Sequence, residues 1–99
     1  MDTEQGSFVW DPAKEGLNIQ KHGVDFRTAA FAFKDPQRKI FVDERHSRTE
    51  ERLFCVGKVK GRVLTVRFLY REGKIRIIGA GYWRKGAKDY DQKDICSNG

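Results

Sequence analysis

The stretch RVLTVRFLYREGKIRIIGA, residues 62–80, constrains the fold most. Two apolar runs rich in β-branched residues are split by Glu72-Gly73, which suits a two-residue turn, so an antiparallel hairpin is expected here. The pattern continues upstream. Lys39 to Asp43 and Arg52 to Lys58 read as strands, and Lys60-Gly61 reads as a second tight turn before Arg62 to Tyr70, with Lys74 to Ala80 completing an antiparallel meander. With a two-residue turn at Glu72-Gly73, Tyr70 opposes Ile75, Leu69 opposes Arg76, Phe68 opposes Ile77 and Arg67 opposes Ile78, and opposed residues share a face. One face then carries Val66, Phe68, Tyr70, Ile75 and Ile77 and suits a core. The other carries Thr65, Arg67, Leu69, Arg76 and Ile78, joined by Arg52 and Phe54 through the turn at Lys60-Gly61. Arg52, Arg67 and Arg76 thus line one open face.

Ahead of the meander the periodicity is helical. Phe8 to Trp10 can form a short strand leading into Asp11, which can cap orphan amides, and Pro12, which fits a first helical position. That helix is expected to reach His22 and stop at Gly23, with His22 favoured there by the helix dipole rather than held for catalysis. A second start lies at Asp25, read as a cap, and Phe26, Ala29, Ala30 and Phe33 make one apolar stripe before Asp35-Pro36 ends it. The segment Trp83 to Lys93 predicts a short final helix. Ninety-nine residues support one domain, residues 1–99, with 1–7 and 95–99 expected to be flexible. The fold class is α+β: two N-terminal helices packed on an antiparallel meander, with a short C-terminal helix.

Charge points to the partner. The chain carries net +6 with a pI near 9.6. Residues 1–33 hold three Lys/Arg against five Asp/Glu, whereas residues 58–88 hold ten against Glu72 alone. A cationic C-terminal half fits nucleic acid better than an anionic membrane, although a solvated basic face is the plain alternative. Cys55 reads as a packed small hydrophobe and Cys96 sits in a polar tail, without metal-ligand spacing. No signal peptide or bilayer-length apolar run is present, so a cytoplasmic location is expected.

Two segments carry the chemistry. In GAGYWRKG, Gly79 to Gly86, the lone Gly-x-Gly lacks the crossover helix and ribose-binding acid of a dinucleotide site. Tyr82 and Trp83 beside Arg84 and Lys85 instead suit stacking and phosphate contact with unpaired RNA, or else Trp83 is core and Tyr82 an edge aromatic. In DERHSRTEER, Asp43 to Arg52, His46 suits proton transfer near neutral pH, and Glu50 or Glu51 suits a base or an arginine-orienting group; a solvated turn is the default. Cations on one strand and proton-transfer groups on the next are what attack of a ribose 2′-hydroxyl on its phosphate requires. No cofactor or metal is called for. A DNA-binding role for this chain alone is weaker, because no recognition helix carries the basic cluster.

The order of motifs resembles the BrnT toxins of bacterial type II toxin–antitoxin systems, which look like small relatives of the RelE ribonuclease fold. The matching residues are FVWDPAK from Phe8, N-x-x-K-H-G-V-x-F from Asn18, F-x-D-P from Phe33, D-x-x-H-S-x-x-E-E-R from Asp43, G-R-V-L from Gly61 and G-K-I-R-I-I-x-A from Gly73. The resemblance implies a metal-independent endoribonuclease that inhibits translation. It also implies a BrnA-like antitoxin whose ribbon-helix-helix part binds operator DNA, the toxin reaching DNA only through it. Carried over, the catalytic candidates are His46, Glu51, Arg52 and Arg76, with Arg67, Tyr82, Trp83, Arg84 and Lys85 as RNA-binding candidates. Gly79 and Gly81 stand where the family commonly has Ser and Arg, so Arg84 or Lys85 would have to supply the cation missing at 81. The alternative is a non-catalytic RNA- or antitoxin-binding module on the same scaffold.

Overall fold

Both expected hairpins form, and their turns show why the register is fixed. Lys60 and Gly61 have φ of 51° and 81°, and Glu72 and Gly73 have φ of 55° and 76°. Two successive left-handed residues make the turn whose twist matches that of the strands it joins. In the computed structural model, which describes residues 2–91, the elements are β1 (Thr3–Gln5), β2 (Phe8–Trp10), α1 (Pro12–His22), α2 (Phe26–Ala30), β3 (Lys39–Val42), β4 (Arg52–Val59), β5 (Arg62–Arg71), β6 (Lys74–Gly81) and α3 (Arg84–Asp91). Short 3-10 turns occupy Phe31–Lys34 and Glu44–His46. The strands form one sheet in the order β1-β2-β6-β5-β4-β3.

The α+β class holds, but the layout differs from the expected one in two ways. Strands come first, because Thr3–Gln5, within the segment read as flexible, pairs with β2. The sheet is mixed, because β2 runs parallel to β6 through Phe8 opposite Ile75 and Val9 opposite Arg76. The chain between β2 and β6 is a long crossover, which is what a parallel pair needs. The polar triplet of β1 has no apolar alternation, so nothing local marks it as a strand. The expectations for residues 95–99 and for Cys96 lie outside the described residues.

Asp11 caps α1 by accepting from the Ala13 amide at 2.9 Å, and Gly23 ends it in the left-handed region. Asp25 does not cap α2 as expected. Its carboxylate accepts from the Thr28 hydroxyl, while Glu15 accepts the Phe26 amide at 2.9 Å. The helix layer and one sheet face bury Trp10, Phe26, Leu64, Val66, Phe68 and Ile77. Cys55 is in this core, and burial pushes its thiol up to about 12, so it packs as a hydrophobe.

Asn18 ties α1 to the edge of β6 beyond its pairing with β2. Its Nδ2 donates to the Val24 and Ala80 carbonyls at 2.9 Å each, and its Oδ1 accepts from the Ala80 amide at 3.0 Å. Asn18→Ala leaves these buried backbone groups unpaired, so thermal unfolding is expected to show a loss of about 2–4 kcal/mol. A midpoint within a degree or two of wild type would contradict that role.

α3 packs on the opposite face of the sheet. A Cβ at Gly86 would lie 1.8 Å from Thr65 Oγ1, so only glycine lets the helix approach this closely. The Tyr90 hydroxyl donates to Asp35 at 2.6 Å, and Asp35 also accepts from the Lys58 amide at 2.7 Å. Burial acts to raise the Asp35 carboxyl, but these hydrogen bonds, one from Gln37 and the Lys58 charge outweigh it and hold it below the ordinary 3.8. The same bond pushes Tyr90 up to about 12. Asp35 therefore adds stability above its ordinary value and loses it as pH falls through the lowered one. Tyr90 adds stability below its ordinary value and loses it as pH rises toward 12. The stability gap between wild type and Tyr90→Phe is expected to be flat from about pH 5 to 9 and to shrink on both sides. Urea titrations across pH check it; a gap independent of pH would contradict the clasp.

Candidate functional site

Strand alternation builds the site. Arg52 opposes Leu69, Phe54 opposes Arg67 and Leu69 opposes Arg76, which puts the three arginines on the face away from α1 and α2, as expected. A bulge shifts the register so that Arg67 opposes Gly79 rather than Ile78. A Cβ at 79 would meet Arg67 Cδ at 3.6 Å, so the arginine lies along the glycine. One residue past the expected strand, Arg71 joins the same face opposite Lys74. Arg52 and Arg67 form no ion pair among the described residues, which leaves them available to an anion.

The other cations of the row are partnered. Arg71 forms a two-pronged pair with Glu50 at 3.0 and 2.6 Å. This hydrogen bond, against some burial and with the charges of Arg71, Arg52 and Arg76, holds the Glu50 carboxyl below its ordinary value. Glu50 therefore sits among the arginines. Glu51 is exposed, one residue before β4. Arg76 pairs with Asp2 and Lys74 with Glu4, so the acids of the N-terminal segment face the row. The Arg76 Nε is buried with no hydrogen-bond partner.

His46 stands on a pinned loop. The Asp43 amide donates to the Arg52 carbonyl at 2.7 Å. The Ser47 hydroxyl donates to the Asp43 carbonyl at 2.6 Å and accepts the Arg52 amide at 2.9 Å. The buried Asp43 carboxylate lies 2.8 Å from His46 Nδ1, while the imidazole is 53% exposed. A carboxylate accepts, so Nδ1 carries the proton and Nε2 is left free toward solvent. Asp43 is the orienting residue that sequence reasoning missed; the D-x-x-H spacing was its signal. Arg71 was missed because the strand was drawn one residue short, and Asp2 because nothing local links it to Arg76.

The aromatic pair splits across the sheet. Tyr82 packs on the helix-side core with the Arg62 guanidinium 3.8 Å from its ring centre, so it is not brought to the arginine row. Trp83 lies across Gly81, where a Cβ would come within 2.7 Å of its ring, and meets His22 edge-on at 5.2 Å. Arg84 and Lys85 are exposed on the first turn of α3, and Lys85 pairs with Asp89 at 3.7 Å. A side chain at 81 would displace Trp83, so this chain carries an aromatic surface where an arginine was expected.

Two arginines unpaired among the described residues, a third with an acid on it, and an oriented imidazole on the loop pinned to Arg52 can bind a phosphodiester and move a proton beside it. Among the described residues no three His, Cys, Asp or Glu side chains gather as metal ligands, and no helix is long and apolar enough to cross a membrane. No curated protein matches the chain. The family model for the ribonuclease toxin BrnT of type II toxin–antitoxin systems matches residues 10–86, from Trp10 in β2 into the first turn of α3. That span holds the arginine row, the His46 loop and Trp83, and the chain belongs to the BrnT ribonuclease toxin family.

Proposed function

We propose that this chain is an endoribonuclease that cuts RNA without a metal ion and thereby inhibits translation, acting in the cytoplasm. The observation that carries the reading is the shared face of Arg52, Arg67 and Arg76 beside the Asp43–His46 pair. His46 Nε2 takes the proton of a ribose 2′-hydroxyl, whose oxygen bonds to the adjacent phosphorus as the bond to the 5′-oxygen breaks, and the 5′-oxygen leaves with a proton taken from solvent water. Arg52, Arg67 and Arg76 stabilise the charge that develops on the phosphate oxygens. Glu50, held ionised in its two-pronged pair with Arg71, suits the arginine-orienting role better than Glu51, which has no partner among the described residues. Trp83 offers a stacking surface, and Arg84 and Lys85 reach the flanking backbone.

The partner is a BrnA-like antitoxin with a ribbon-helix-helix part, through which alone the complex meets operator DNA. Expression of the chain is expected to arrest bacterial growth, and co-expression of the antitoxin to relieve it. Normal growth with soluble protein present would contradict the toxin reading. Gly81 and the Asp2–Arg76 pair favour a second reading, a non-catalytic RNA- or antitoxin-binding module. Tight RNA binding without growth arrest would support it.

A further inference from the structure

Between the sheet and α3, on the arginine face, lies a groove of about 570 Å3 lined by Phe41, Phe54, Val56, Thr65, Trp83 and Lys85 among others. Its walls are mostly aromatic and aliphatic, with the Lys85–Asp89 pair as the charged side, which suits a flat, largely apolar ligand. Thr65 belongs to the groove floor, with the Oγ1 sealed beneath Gly86 of α3.

The groove adjoins the cations. Phe54 opposes Arg67, and Val56 opposes Thr65, so groove wall and arginine are neighbours on one face. Cross-strand partners of this kind have Cβ atoms about 5 Å apart. A single strand with phosphates on Arg52 and Arg67 therefore carries a base to the mouth of the groove. Trp83 is held for this by Gly81 beneath it and His22 at its edge. An apolar protein side chain would also fit the walls, but the adjoining unpaired arginines favour a polyanion.

We infer that this groove receives one unpaired nucleobase of the bound RNA, stacked against Trp83 and Phe54, and so sets which nucleotide is read beside the scissile phosphate. The inference rests on the ribonuclease reading above.

The test uses single-stranded 2′-fluoro RNA oligonucleotides, which lack the attacking hydroxyl, with one abasic position moved along the chain. Loss of one particular base is expected to weaken binding about tenfold. Trp83→Ala and Phe54→Leu, the latter keeping bulk without a ring, are expected to weaken binding of the intact oligonucleotide by a similar factor. Neither is expected to weaken the abasic one further. Variants that keep the wild-type ratio between intact and abasic RNA would overturn the inference while leaving the ribonuclease reading standing. Unchanged RNA binding with weakened antitoxin binding would overturn it in favour of a protein-docking groove. Absence of wild-type binding to every oligonucleotide would overturn both.

Discussion

Arg76→Ala is expected to lower the rate of RNA cleavage about 10²–10³-fold, the usual cost of removing one donor aimed at charge that develops in a transition state. Arg76 is 17% exposed, with a buried Nε lacking a partner among the described residues and its outer nitrogen on Asp2. Enclosure makes an electrostatic contact stronger than it is in water. On the proposed reading the Asp2 carboxylate holds the place of a phosphate oxygen on Arg76, and substrate would displace it. Asp2→Asn is accordingly expected to tighten RNA binding, a change opposite in sign to that of Arg76→Ala. Arg76→Lys keeps the charge but loses the planar fork, and an intermediate rate is expected. Single-turnover cleavage with matched thermal unfolding measures all three; an Arg76→Ala protein that is folded and fully active would remove Arg76 from the chemistry.

His46→Ala is expected to cost about 10²–10⁴-fold in the cleavage rate, the range for a positioned proton-transfer group. The imidazole side chain is about half exposed and is held at Nδ1 by Asp43, so its loss should leave folding nearly intact. Asp43→Asn replaces an acceptor-only carboxylate with an amide that can also donate to Nδ1, so the tautomer is no longer fixed, and a smaller loss of rate is expected than for His46→Ala. The buried site of Asp43 also fastens the loop to β4 through its backbone, so thermal unfolding of Asp43→Asn separates orientation from stability. The decisive reading is the pH–rate profile. Loss of the limb that reports the imidazole in His46→Ala supports the assignment, and an unchanged profile would move it to Glu50 or Glu51.

What was legible in the residues follows from the range of the interactions involved. The hairpins were legible because Lys60-Gly61 and Glu72-Gly73 fix the turns locally, and the alternation between them then assigns Arg52, Arg67 and Arg76 to one face. The bulge opposite Arg67 was not legible, since an extra residue in β6 leaves no mark in an apolar run. The parallel pairing of β2 with β6 depends on contacts between residues far apart in sequence, Phe8 with Ile75. Tyr82 and Trp83 looked like one stacking pair in the chain, but successive residues at a strand end point to opposite faces, and only Trp83 lines the groove with Phe54 and Thr65. Gly81 read as a lost cation; in the fold it is the floor under Trp83.

The central claim is that the arginine face and His46 cut RNA through its own 2′-hydroxyl. Purified protein incubated in EDTA with a single-stranded RNA and with its all-2′-deoxy counterpart tests this most directly. The expected result is cleavage of the RNA alone, leaving a 2′,3′-cyclic phosphate. Intact RNA in EDTA, or equal cleavage of the deoxy strand, would contradict it.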